Sequence, residues 1–336
     1  MSVQFKNLAT AAATAVFLFM GQQAVAQQRG ACSDPSWGLC GEWEVGARAL
    51  YFTPITCPFS YASVQTFVFG PDTISTGQAQ VIPCRPEWGF RVFGNYLHDC
   101  FFAKVSYQWF EVTTTRSIVA PSVRIAGSAG SAAGKATGQE AMEYQNVDVR
   151  VGRYLLRGCR SSLYLYGNGR WVDLSHRRSA RNTFINTNGE FVEVQEKSQL
   201  EGGALGIGFG GEVDIWCNFG AFIDGNLLGV IGRRSIKDVR FRGQTPTILQ
   251  IRRQFYPSET CVIPEVDFRI GLNYTYTCGC WALVGEVGYE VDHFWDASAM
   301  PELTSSGVPQ SLTGEFMPAC QDLGFSGLFF GARLVF

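Results

Sequence analysis

The sequence predicts an all-β protein: a single antiparallel transmembrane β-barrel of about ten strands, with short periplasmic turns and long extracellular loops. Three observations carry this. Leu323 to Phe336 alternates strictly, with Leu328, Phe330, Ala332, Leu334 and Phe336 on one face and Gly327, Gly331 and Arg333 on the other. Period two, with apolar residues on one side and small or charged ones on the other, is what a lipid-facing barrel strand requires. The same alternation recurs through the chain, and the connections alternate between very short and long. That asymmetry belongs to outer-membrane barrels, whose turns lie in the periplasm.

The amino-terminus agrees with this address. Residues 1–26 carry one early charge (Lys6), an apolar stretch around Ala11 to Met20 and the small-residue motif Ala24-Val25-Ala26. This is the pattern of a secretory signal peptide that is removed on export. Residues 27–41 then form a periplasmic segment, and residues 42–336 the barrel. No later run reaches the 18 or so consecutive apolar residues of a spanning helix, so membrane contact must come from strands. Gly is abundant (38), aromatics reach 14% and mean hydropathy is only +0.03, the average expected when each apolar residue is followed by a polar one. A net charge of -2 gives no footprint for nucleic acid.

Ten alternating segments cover about 42–53, 87–97, 100–113, 143–157, 161–176, 199–216, 219–234, 264–277, 280–296 and 323–336. Glu265 to Thr277 is the clearest: Val266, Phe268, Ile270, Leu272, Tyr274 and Tyr276 oppose Glu265, Asp267, Arg269, Asn273 and Thr275. A further strand over Tyr61 to Gly70 would make twelve. Aromatic residues sort to the strand ends, as two interfacial girdles require. Trp43, Tyr96, Tyr274, Tyr276, Trp281 and Phe336 fall on the periplasmic side, and Tyr51, Trp88, Tyr107, Trp109 and Tyr289 on the outer side. Segments 54–86, 114–142, 177–198, 235–263 and 297–322 are expected to be loops, with 120–138 mobile and Asn188-Gly189 a hairpin tip. Phe336, the aromatic end of the closing strand, is the expected assembly signal for the barrel assembly machinery.

Ala49-Leu50-Tyr51-Phe52-Thr53-Pro54, then Glu87-Trp88-Gly89-Phe90-Arg91-Val92 running through Tyr96 to His98-Asp99, resemble the Legionella-type major outer membrane protein family, related in name and role to chlamydial major outer membrane proteins. Gly206 to Asp214, Glu265 to Leu272 and Gly285 to Trp295 resemble its later strands. The resemblance implies a pore-forming barrel in the bacterial outer membrane, without catalytic residues or cofactors. The cysteine content departs from the family pattern.

Eleven cysteines follow the signal, in a compartment where disulfides persist. Cys57, Cys84, Cys261 and Cys320 are expected in long outer loops; Cys32, Cys40, Cys100, Cys159, Cys217, Cys278 and Cys280 at the periplasmic rim. Staples within the chain are one expectation and a disulfide-linked envelope the other, since an odd number leaves one thiol over. A homo-oligomer is also a candidate assembly. Cys278-Gly279-Cys280 lacks a second pair at metal-binding spacing, so no zinc site is expected.

Inward charges divide into two walls. Arg48, Arg91, Lys104, Arg150, Arg170 and Arg333 dominate one side, against Glu44 and Asp148; Glu212, Asp214, Asp224, Glu265, Asp267, Glu286, Glu290 and Asp292 dominate the other, against Arg269. If water fills the lumen, these residues line a pore for small hydrophilic solutes with a modest cation preference. If the lumen is narrow, they pair into a buried network and the barrel is a plug or an adhesin. Inward glycines (Gly46, Gly152, Gly206, Gly208, Gly210, Gly288) are expected to leave room. Asp292-His293 and His98-Asp99 are the catalytic candidates, but Asp292 is expected to point inward, His293 to lipid and His98-Asp99 to lie in a periplasmic turn, so they do not meet at one point. Gly206-x-Gly208-x-x-Gly211 matches a dinucleotide fingerprint by letter alone, within a strand. Arg177-Arg178 is expected on the solvated surface.

Overall fold

A computed structural model describes residues 42–56, 59–68, 74–125, 132–158, 160–185, 190–216, 218–244, 247–255, 258–279, 281–301 and 318–336. Ten antiparallel strands close a ring: β1 (Glu42–Ile55), β4 (Glu87–His98), β5 (Phe101–Ile125), β6 (Ala132–Arg157), β7 (Ser161–Phe184), β8 (Glu190–Trp216), β9 (Phe219–Gln244), β11 (Glu259–Cys278), β12 (Trp281–Pro301) and β13 (Pro318–Val335). Each pairs with the next, and β13 returns to β1 through a ladder from Glu44↔Val335 to Ile55↔Gly324. Outside the ring stand the β2 (Phe59–Val68) and β3 (Ile74–Ile82) hairpin and β10 (Thr247–Phe255), which pairs with β9. Of the further strand expected over Tyr61 to Gly70, the described residues to Val68 belong to the first hairpin strand and form no eleventh stave.

Closure removes the edge strands that lipid would leave unsatisfied, so every stave finds two partners. The outward faces then need only be apolar. Leu205, Ile207, Phe209, Val213 and Ile215 of β8 are exposed, as are Phe268, Ile270 and Leu272 of β11. Rings bracket this belt: Trp43 packs on Tyr96 with centroids 4.7 Å apart at one rim, and Tyr51 on Trp88 at 4.8 Å at the other. At the periplasmic rim the chain turns tightly. Asp99 takes a left-handed backbone between β4 and β5, and Gly279, which has no Cβ to clash, does so after β11.

The predicted segments match the belt but stop short of the strands. Among the described residues, those expected as loops at 114–142, 177–198 and 235–263 instead carry β5 to β9 onward as strand and supply β10 and the start of β11; 245–246 and 256–257 lie outside the described residues. The tips 126–131 and 186–189 lie outside the described residues, so the Asn188-Gly189 turn does too, although β7 and β8 pair up to Thr183↔Phe191. β8 has 27 residues, about 90 Å of chain at about 3.3 Å per residue. Even tilted by about 40° it far exceeds an apolar band about 25 Å tall. Its outward residues become polar at Glu201, Gln199 and Lys197, which marks the belt's upper limit.

Above that limit the extended sheet forms a lobe. The β2–β3 hairpin leans against its inner face, and β2 pairs with β5 at Ala62↔Ile125 to Val64↔Val123. Phe59, Tyr61, Ala62, Ile82, Val123, Ile125, Ala136, Ala180 and Val194 make a second core there. Tyr61 lies across Gly138, where a Cβ would overlap its ring. This lobe also buries an acid pair, Glu196 opposite Asp238 across β8 and β9.

Two expected outcomes follow from these contacts. The Phe336 amide donates to the Trp43 carbonyl at 2.9 Å and the Trp43 amide to the Phe336 carbonyl at 2.8 Å, completing the seam. Deleting Phe336 should leave exported but poorly inserted protein, seen as loss of heat-modifiable migration; unaltered migration would count against its role. Burial and the neighbouring Asp238 carboxylate push Glu196 up to about 8 from 4.5. The folded chain then holds a proton that the unfolded chain releases, so this contribution to stability is present below about 4.5 and is lost as pH rises through about 8. Glu196→Gln should raise the unfolding midpoint at about pH 9 and leave it nearly unchanged at about pH 4.

Candidate functional site: the barrel interior

The lumen is filled in layers. Because side chains alternate, every second residue of each stave points inward, and the register decides which of them meet. The central layer is ionic. Arg48 of β1 reaches Glu286 of β12 at 2.7 Å, and Arg91 of β4 clamps both carboxylate oxygens of Glu290 of β12. Arg150 of β6 contacts Asp148 and Asp224 at 2.8 Å and Asp267 at 3.1 Å. Arg170 of β7 contacts Asp148 at 2.6 Å, Asp267 at 2.8 Å and Glu265. Arg269 of β11 reaches Asp224 at 2.6 Å. The two walls of opposite sign thus face each other and pair directly.

Toward the periplasm, Arg333 bridges Glu44 at 2.6 Å, Glu286 at 3.1 Å and Glu212 at 3.4 Å, and the Lys104 ammonium lies 4.4 Å from the centre of the Phe93 ring. Asp214 is exposed at the rim and takes no part in the described ion pairs. Toward the exterior, an apolar layer crosses the whole barrel. Phe110 meets Phe325 with centroids 5.1 Å apart, Tyr144 meets Phe325 at 4.9 Å and Phe294 at 5.6 Å, and Phe52, Leu50, Met142, Leu174 and Phe329 surround them.

The inward glycines do not leave the expected room. Tyr166 lies on Gly208, Tyr164 on Gly210, Phe102 on Gly152 and Phe329 on Gly288, each so close that a Cβ would overlap the ring; Gly46 and Gly206 are covered by Phe93 and Leu228. Small residues on one stave are seats for large ones on the next. Tyr164 and Tyr166 then donate to Asp224 at 3.1 and 3.0 Å, tying the aromatic residues to the ionic layer. A described cavity beside the upper apolar layer, lined by Pro54, Cys84, Val112, Glu140 and Met142, holds about 10 Å³, no more than one water.

In the spanning part, five guanidinium groups (Arg48, Arg91, Arg150, Arg170, Arg269) face seven buried carboxylates (Asp148, Asp224, Glu265, Asp267, Glu286, Glu290, Asp292), an excess of two negative charges. Lys104 and Arg333 below are matched by Glu44 and Glu212.

Asp292 and His293 point to opposite faces: Asp292 is fully buried, while His293 stacks edge-on against Trp295 outside the lumen. His98 and Asp99 lie 3.7 Å apart in an exposed turn. One polar cluster was missed. His176 of β7 sits between Ser298 (3.2 Å) and Glu140 (2.9 Å), and Arg178 donates to Glu140 at 3.1 Å. Burial holds His176 below its ordinary pKa. Arg178 is therefore buried, contrary to the expected solvated surface, and only Arg177 is exposed. Its place on an expected loop hid it.

Cys84, Cys100 and Cys278 are free thiols, Cys100 and Cys278 in the rim turns and Cys84 on the outer side, where Cys261 also lies. Cys261 donates to the Gly232 carbonyl at 3.7 Å. The other disulfide candidates Cys32, Cys40, Cys57 and Cys280 lie outside the described residues, as do Cys159 and Cys217. Only the strand position of Cys320 is described, opposite Ala299.

Among solved structures the chain is similar to the outer membrane protease OmpT from Escherichia coli, at 8% sequence identity over 90% of this chain and 99% of that one, with a TM-score of 0.40. It is also similar to a Pseudomonas aeruginosa FadL homologue (8% identity, 88% and 90% covered, TM-score 0.26) and to the Ralstonia pickettii toluene transporter TbuX (8% identity, 89% and 89% covered, TM-score 0.22). Scores this low carry nothing about activity. No curated protein matches the chain significantly. The family model described as the Legionella pneumophila major outer membrane protein precursor matches residues 38–336, which contain the entire barrel. The chain is an outer-membrane β-barrel and belongs to that family.

Proposed function

We propose that the protein is a non-conducting structural barrel of the outer membrane, which anchors an extracellular β-lobe that presents a contact surface. The observation that carries this reading is the direct pairing of the two charged walls beneath a continuous apolar layer. A porin-like path for passive diffusion, with a modest cation preference, would need water along the axis. Most of the positions expected to line such a path are instead partners of one another: Arg91 with Glu290, Arg48 with Glu286, Arg170 with Glu265 and Asp267. Ten staves lie near the size at which side chains alone fill a barrel, which supports the same reading.

In this account residues 1–26 act as a cleaved export signal, lipid surrounds the belt, and the assembly machinery recognises the strand ending in Phe336. The lobe is the part available to neighbours, in the same envelope or on another cell. The reading assigns the protein no catalytic step.

Planar-bilayer recording of refolded protein tests it: insertion should produce no steps of conductance, and regular ohmic steps would overturn it. Changing Glu286 and Glu290 together to Lys separates the two readings further. In a sealed interior the change sets new cations beside Arg48 and Arg91, and breaking even one buried pair costs about 3–5 kcal/mol. The double variant should therefore fail to refold or unfold at much lower urea. A stable variant with reversal potential shifted toward anions would restore the pore.

A further inference from the structure

We infer that the barrel interior holds a divalent cation, in the manner of Ca²⁺, between Asp267, Glu290 and Asp292, with Asn226 as a neutral fourth ligand. This rests on the interior geometry and not on whether the lumen conducts. Register places three of these groups in one row across adjacent staves: Asn226 of β9 stands opposite Asp267 of β11, which stands opposite Asp292 of β12. Glu290 lies two residues from Asp292 on the same face. One carboxylate oxygen from each of the three acids falls within 4.8 Å of the others. Oxygens sharing one Ca²⁺ at about 2.4 Å can be no more than about 4.8 Å apart, so the spacing suits a single ion.

The hydrogen bonding points the same way. All three carboxylates are fully buried, yet both oxygens of Asp292 and Oδ1 of Asp267 have no hydrogen-bond partner among the described residues. The amide of Asn226, 3% exposed, also has neither its nitrogen nor its oxygen bonded. Like charges directly opposite on one sheet face repel, and unpaired buried carboxylates are among the most costly groups a core can hold. Arginines reach only part of the cluster: Arg91 takes Glu290, Arg150 and Arg170 take the other oxygen of Asp267, and the contacts of Arg269 with Asp267 Oδ1 and of Arg170 with Asp292 are 3.7 and 3.9 Å long, too long for hydrogen bonds. One divalent ion supplies the two positive charges by which the buried carboxylates exceed the guanidinium groups. Oxygen-only donors favour a hard cation, and the variable coordination of Ca²⁺ suits a row of buried side chains better than the strict octahedron of Mg²⁺ with its retained waters. The sequence expectation of no metal considered only cysteine and histidine spacing, which is blind to such a site.

The test uses the whole barrel, refolded into detergent free of lipopolysaccharide with either Ca²⁺ or a chelator present, then passed through gel filtration. Elemental mass spectrometry should find about one Ca²⁺ per chain after Ca²⁺ refolding, and the thermal midpoint should be higher than after refolding with chelator. Asp292→Asn, which keeps the shape and removes one charge, should carry less than a tenth of an equivalent and have a midpoint indifferent to Ca²⁺. Glu212→Gln, outside the cluster, should retain the ion. Folded wild-type barrel with no bound calcium and the same midpoint in both conditions would overturn the inference and leave protons as the neutralising charges. Because that result needs only the wild type, failure of a variant to fold does not shield the proposal.

Discussion

The structure depends on guanidinium groups buried inside a narrow barrel. An arginine enclosed by ten staves must find carboxylates there, because an uncompensated charge in a dry interior costs far more than any packing gain returns. Arg170 shows how completely the register answers this need, joining Asp148 on β6 to Glu265 and Asp267 on β11 across the axis. Such pairs are weak as a net source of stability. Their force is in specificity: a slip of one residue in any stave would turn its ionic side chains into lipid and its leucines into the lumen.

From that constraint the rest follows. Tyrosines and phenylalanines pack into the space left by inward glycines, and their hydroxyls satisfy remaining carboxylate lone pairs, as with Tyr164, Tyr166 and Asp224. Above the ionic layer the interior turns apolar around Phe110, Tyr144 and Phe325, which shields the ion pairs from water and strengthens them. Higher still, where water lies outside the wall, both faces of the sheet can be polar, and the β2–β3 hairpin supplies the apolar cover that the inner face needs.

Legibility in the sequence followed these physical zones. In the belt, lipid outside and charge inside force strict alternation, so Glu265 to Thr277 and Leu323 to Phe336 declared their faces and the ring of ten was readable. Above the belt the signal fades. Thr113-Thr114-Thr115 and Ser175-His176-Arg177-Arg178 have no apolar face toward lipid, so strand and loop look alike there, and β5 to β9 were expected to end too soon. The filled lumen was hidden for another reason. Gly208 looks like space until cross-strand pairing sets Tyr166 on it, and such pairing is a property of two segments. The charges were visible in sequence; whether they faced water or each other depended on a register that no single strand records.

A double-mutant cycle on Arg91 and Glu290, using Arg91→Met and Glu290→Gln and urea unfolding of the refolded barrel, tests most directly whether the interior is dry. A pair sealed from water should show a coupling energy above about 2 kcal/mol, unaffected by salt. Coupling below about 0.5 kcal/mol that vanishes in high salt is the behaviour of solvated pairs, and it would contradict the closed lumen.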